Sequence, residues 1–175
     1  MILYLVRHPE TACNRHDITQ GHADSPLTKK GQNVAKKLGQ LLKNKNISKI
    51  YSSDLGRCLQ TSRIINQQLH VKIIAKKELR EINYGHYNGC ATNIIRKKFV
   101  LSNPNLVFPR GESFNQMKKR VLKFIKNLKE DQPVLIVTHE GCLRAILSDK
   151  YKVRFTSARC NTMPDQTLVF SKKSL

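Results

Sequence analysis

The sequence predicts an α/β fold: a three-layer sandwich with a largely parallel central sheet and helices on both faces. Three observations carry that expectation. Short apolar runs are bounded by polar turns, amphipathic stretches of helical period lie between them, and the two kinds alternate along the chain.

The first run, at 2–6, reads as a buried strand. Thr28 is a candidate N-cap for the next element, where Val34, Leu38, Leu41 and Leu42 fall on one helical face. A second strand is expected at 47–52, followed by a helix on which Cys58, Thr61, Ile65 and Leu69 keep the same period. A third strand follows at 71–74. Residues 83–112 break this rhythm with Asn-, Gly- and Pro-rich stretches and read as an excursion from the sheet, with one short helix around 91–99. Met117, Val121, Phe124, Ile125 and Leu128 form a helix stripe, and strands are expected at 134–138 and 167–171. No repeat or linker interrupts this order, so residues 1–175 are expected to form one domain.

Composition narrows the class. Hydrophobic residues make up 39% and charged residues 25%, as in soluble globular proteins. The apolar start is too short for a signal peptide, Arg7 interrupts it, and no run is long enough to span a membrane; a cytoplasmic location without membrane association is expected. Cys13, Cys58, Cys90, Cys142 and Cys160 contain no C-x-x-C pair and read as free thiols. His16, His22, His70 and His86 lack metal-ligand spacing, so no metal and no other cofactor is expected. The net charge of +20 has two readings. The Lys-rich surface either binds polyanions such as nucleic acid non-specifically at low salt, or reflects residue usage alone, since the cations are spread along the chain. Small anionic substrates are attracted in both cases.

Ligands of open α/β sheets bind beyond the carboxyl ends of the strands. Arg7 and His8 directly follow the first strand; Ser52, Ser53 and Arg57 follow the second. Glu81 comes after the third and His139 directly after the run at 134–138. Four strand ends thus deliver two histidines, two arginines and a carboxylate to one edge. Phosphoryl transfer needs these types: a nucleophile, cations for the phosphoryl oxygens, and an acid for the leaving alkoxide. Arg suits bidentate phosphate contacts. His8 must be neutral to attack, a state favoured by Arg7, Arg57 and a cationic His139 nearby. Glu81 must carry a proton to serve as the acid. Structural alternatives are a helix-surface ion pair for Arg57 and a pairing of Glu81 with Arg80 or Lys77. Cys90 and Arg96 have the C-x5-R spacing of cysteine phosphatases, but the segment lacks the internal glycine and preceding strand of such a loop.

These residues sit in a recognisable series. Leu5-Val6-Arg7-His8-Pro9-Glu10-Thr11-Ala12-Cys13-Asn14 resembles R-H-G-E-T-x-x-N, the opening motif of the histidine phosphatase superfamily, also called phosphoglycerate-mutase-like. Asp24-Ser25-Pro26-Leu27-Thr28 with Gly31, Ser53-Asp54-Leu55-Gly56-Arg57 with Gln60-Thr61, Arg80-Glu81, Gly111-Glu112-Ser113 and Thr138-His139-Glu140-Gly141 resemble its later motifs in order. The resemblance implies a metal-independent phosphomonoester hydrolase, acting through a phosphohistidine on a small phosphorylated metabolite. His8 would be phosphorylated; Arg7, Arg57 and His139 would hold phosphate, and Glu81 would donate the proton. Asn14, Gln20 and Gly21 would line the substrate entry. Pro9, Glu140 and Tyr87-Asn88-Gly89 depart from the family pattern. The family's cofactor-dependent mutases are longer in the excursion, and the chain is more similar to compact bacterial phosphatases such as those acting on alpha-ribazole phosphate. The alternatives are mutase-type phosphoryl transfer and a basic nucleic-acid-binding module with a vestigial site.

Overall fold

The computed structural model describes residues 2–99, 103–150 and, as backbone, the strand at 168–171. Cys160 and residue 167 lie outside the described residues.

The elements run β1 (Ile2–Arg7), α1 (Ala12–Arg15), β2 (Ile18–Thr19), α2 (Lys29–Leu42), β3 (Lys49–Ser53), α3 (Gly56–Leu69) and β4 (Lys72–Lys76). They continue with β5 (Cys90–Ala91), α4 (Thr92–Lys98), α5 (Phe114–Asn127), β6 (Val134–Thr138), α6 (Glu140–Lys150) and β7 (Leu168–Ser171), with single 3-10 turns at Lys77–Leu79 and Gly85–Tyr87. The main sheet has the order β4-β3-β6-β1-β7. Its first four strands are mutually parallel, and β7 pairs antiparallel with β1. The expected α/β sandwich is therefore present, with one antiparallel strand on a parallel sheet.

Alternation along the strands sorts side chains between two cores. Leu3, Leu5, Val134 and Ile136 pack with Met117, Val121 and Ile125 of α5 and with Leu143 and Ile146 of α6. Tyr4, Val6, Leu135 and Val137 point the other way, onto Leu38 and Leu42 of α2 and Cys58 and Ile65 of α3. Each fully buried side chain of this kind contributes about 1.5–3 kcal/mol. The winding reverses after β4, which opens a crevice at the carboxyl ends of β1, β6 and β3.

Thr28 caps α2 through a bond from the Gly31 amide, 3.0 Å. Ser113 and Gln116 form a capping box on α5. The second strand begins at Lys49, not 47, because Asn46 takes positive φ and turns the chain; Ile47 still reaches the core. Among the described residues no helix is long and apolar enough to cross a membrane.

Candidate active site

Register brings the two histidines together. Arg7 is opposite Thr138 in the β1–β6 ladder, and the His8 amide donates to the Thr138 carbonyl at 3.0 Å. His8 and His139 therefore leave adjacent parallel strands side by side. Their rings meet edge to face with centroids 5.2 Å apart. From the end of β3, Ser53 Oγ lies 2.8 Å from His139 Nε2.

The backbone sets the His8 tautomer. Its Nδ1 is 2.9 Å from the Pro9 carbonyl oxygen. That oxygen can only accept, so Nδ1 carries the hydrogen and Nε2 keeps its lone pair. Arg57 Nε donates to Nε2 at 3.3 Å. Pro9 has no N–H to offer the pocket, but its carbonyl is what orients the ring. Burial, then the positive charges of Arg57 and Arg7, hold His8 well below the usual histidine range. Burial, Arg57 and His8 do the same to His139. For His139 this pull runs against the cationic form that the sequence suggested: burial and the guanidiniums favour the uncharged ring.

Arg57 is no surface residue, being 1% exposed. Its Nη2 donates to the Gly21 carbonyl at 2.7 Å, and its Nη1 to the Ala23 carbonyl and Asp24 Oδ1 at 2.9 and 3.2 Å. Asp24 also accepts from the Arg57 amide and occupies the space a Cβ at Gly56 would need. Gly21 has φ +53 and lies against Asn88 Oδ1, leaving no room for a side chain. Its part in the site is its carbonyl. Gln20 is turned inward, onto Thr11 Oγ1 and Ser25 Oγ, so it supports the loop and does not line the pocket. Asn14 does line it, with Oδ1 accepting from Thr11.

A cavity of about 310 Å³ is bordered by Arg7, His8, Pro9, Glu10 and Asn14. Arg7 Nη1 pairs with Glu140 Oε2 at 3.1 Å, while its Nε is buried without a hydrogen-bond partner among the described residues. Glu140 Oε1 reaches Arg144 Nε at 3.4 Å. Glu140 also borders a second cavity of about 280 Å³, whose walls include Glu81, Thr19, Thr92, Tyr84 and Phe114. Glu81 Oε1 accepts from the Ile82 amide at 2.9 Å and Oε2 from the Gly141 amide at 3.1 Å. The carboxylate thus rests on the first turn of the helix that begins beside His139, where a Cβ at 141 would overlap it. Arg80 pairs with Asp54 instead, through bonds of 2.7 and 2.6 Å.

Sequence reasoning missed Asp24, Thr11 and Arg120 as parts of the site's frame. Asp24 and Arg120 meet groups far along the chain, and Thr11, whose hydroxyl bonds Asn14 and Gln20 close by, stood in the sequence only as a motif letter. Cys58 Sγ, 3.4 Å from His139 Nε2, was read only as core. Cys90 sits on the two-residue strand β5, with Sγ on the His86 carbonyl. Among the described residues no three His, Cys, Asp or Glu side chains group as a metal site.

The fold and the geometry are those of a three-layer α/β protein with a twin-histidine pocket at the carboxyl edge of its sheet. The chain belongs to the histidine phosphatase superfamily (branch 1), whose family profile matches residues 3–169. A relative from Proteus mirabilis, "Probable phosphoglycerate mutase GpmB", is 35% identical over 156 residues, covering 83% of this chain and 73% of the relative. The solved structure of Bacillus stearothermophilus YhfR superposes with a TM-score of 0.88 at 30% identity, over 97% of this chain and 90% of that one. An alpha-ribazole phosphatase from Shigella flexneri superposes at 0.80 with 27% identity, over 90% and 83%.

Proposed function

We propose that the chain is a phosphomonoester hydrolase that passes the phosphoryl group through His8. The observation that carries this reading is the His8 ring: buried, held by the Pro9 carbonyl so that Nε2 carries no hydrogen, and set between Arg57, which donates to that lone pair and turns to the phosphoryl group when it enters, and His139. Nε2 attacks phosphorus as the ester P–O bond breaks, and Glu81 gives its proton to the departing alkoxide. Water then attacks the phosphohistidine, Glu81 takes a proton from it, and the P–N bond breaks to release inorganic phosphate. Arg7 and Arg57 hold the phosphoryl oxygens. The dianion offsets their charge and lets His139 take up a proton to join them. The alcohol half lies in the cavity that Glu81 borders, with hydroxyls of Thr19 and Thr92 and the rings of Tyr84 and Phe114 around it. A lining this mixed suits a small polar metabolite.

The test is trapping of the intermediate. Wild type mixed rapidly with p-nitrophenyl phosphate in the presence of EDTA should carry an acid-labile, base-stable phosphate, and His8→Ala should lose turnover by about 10⁴-fold or more. Similar rates for the two proteins would end the proposal. The name of the Proteus relative supports a second reading, mutase-type transfer. Exchange of label between 2- and 3-phosphoglycerate faster than phosphate release would favour it.

A further inference from the structure

We infer that Arg120, together with Glu112, is the positioning residue for the proton donor. This rests on the reading of Glu81 as the acid. Residues 77–83 leave β4 through a single 3-10 turn and pair with no strand; from the sheet, Thr138 Oγ1 at the end of β6 donates to the Leu79 carbonyl at 2.8 Å. Arg120, projecting from α5, holds the carbonyls on either side of that one. Nη1 donates to the carbonyls of Glu78 and Arg80 at 2.8 and 2.7 Å. Nη2 donates to the Glu81 carbonyl at 2.8 Å and to Glu112 Oε1 at 2.6 Å, and Nε to Glu112 Oε2 at 3.1 Å. A guanidinium has five N–H donors, and all are used.

The three carbonyls and two carboxylate oxygens make five acceptors, which match the five donors of a guanidinium and exceed the three of an ammonium. Glu112 completes the frame: its Oε1 also accepts from the Asn83 amide at 2.9 Å, and its own amide donates to the Asn83 carbonyl. The segment is thus pinned on both sides of Glu81. The Glu81 carboxylate, held by the Ile82 amide, inherits the position of that backbone. His22 Nε2 also lies 2.9 Å from the Glu81 carbonyl oxygen. Helix α5 is a firm base for this arm, since its start is fixed by the capping box and its apolar stripe is buried.

The experiment compares leaving groups. Glu81→Gln should slow alkyl phosphates far more than p-nitrophenyl phosphate, whose leaving group needs little protonation. Arg120→Lys should reproduce that pattern: about 30-fold loss on an alkyl phosphate, less than about threefold on p-nitrophenyl phosphate, and undiminished phosphohistidine formation from the latter. Combined with Glu81→Gln it should add no further loss on the alkyl phosphate, because both changes remove one function. A purely structural role predicts equal losses on both substrates and an additive double variant; either result overturns the assignment. Should Arg120→Lys not fold at the assay temperature, Glu112→Gln is read on the same ratio, where a selective loss supports the assignment and an equal loss overturns it. A wild type that forms no phosphohistidine removes the hydrolase reading itself, whereas one that does so beside an unselective Arg120→Lys removes only the role of Arg120.

Discussion

Two neutral imidazoles in a pocket of arginines have a consequence that titration can read. Burial and the neighbouring guanidiniums favour the uncharged rings, so in the free protein His8 and His139 should stay neutral well below pH 6.5. Histidine ring NMR should place both transitions below that value, and a His8 transition at or above 6.5 would contradict the proposed resting state. The same depression acts on stability. Below pH 6.5 the unfolded chain binds protons at these positions that the folded chain refuses, so stability falls as the pH drops from 6.5 towards the folded values. The residues legible in the sequence were those that a strand end must deliver to one edge: Arg7, His8, Arg57 and His139. Gln20 and Gly21 were legible as members of the site and not for what they touch, since only the folded loop shows one facing inward and the other offering a carbonyl. Arg120 had no signature, because three of its five acceptors are backbone carbonyls.

Helix starts do much of the positioning. The first turn of α6 gives the Gly141 amide to Glu81, and the approach is so close that a Cβ at 141 would push the carboxylate aside. Gly141→Ala separates helix propensity from function. Alanine favours a helix interior by up to about 1 kcal/mol, so the melting temperature should change by only a few degrees. Alkyl phosphate turnover should nevertheless fall by at least about tenfold, or 1.4 kcal/mol in the barrier. Retained turnover would show that Glu81 does not need this amide. The long periodic elements, α2, α3, α5 and the central strands, were visible as apolar spacing. The β2–β5 ribbon and α1 were not, because two to four residues are too few to establish a period. Helix α6 carried the signal in Cys142, Leu143, Ala145 and Ile146, but its start coincides with the second-histidine motif, which was read as chemistry alone.

At the scale of the whole molecule, a net charge of +20 sets up a long-range positive field. Such a field is screened over about 8 Å at physiological ionic strength. Rising concentrations of a neutral salt should therefore lower kcat/KM for a phosphoester and leave kcat nearly unchanged, since chemistry takes place in a filled pocket. Nucleic acid should adhere at low salt and be released by roughly 0.2 M, as counterion release requires. Sequence-selective binding that survives higher salt would instead reveal a second function. The sheet order has a consequence in time. Strand β1, which presents His8, is made well before β6 and β7, the two strands with which it pairs. Such non-local pairings are slow to form. During synthesis His8 therefore leaves the ribosome long before the strand that delivers His139. A nascent chain stopped short of β6 has no twin-histidine pocket, because the strand that carries His139 lies between β1 and β3.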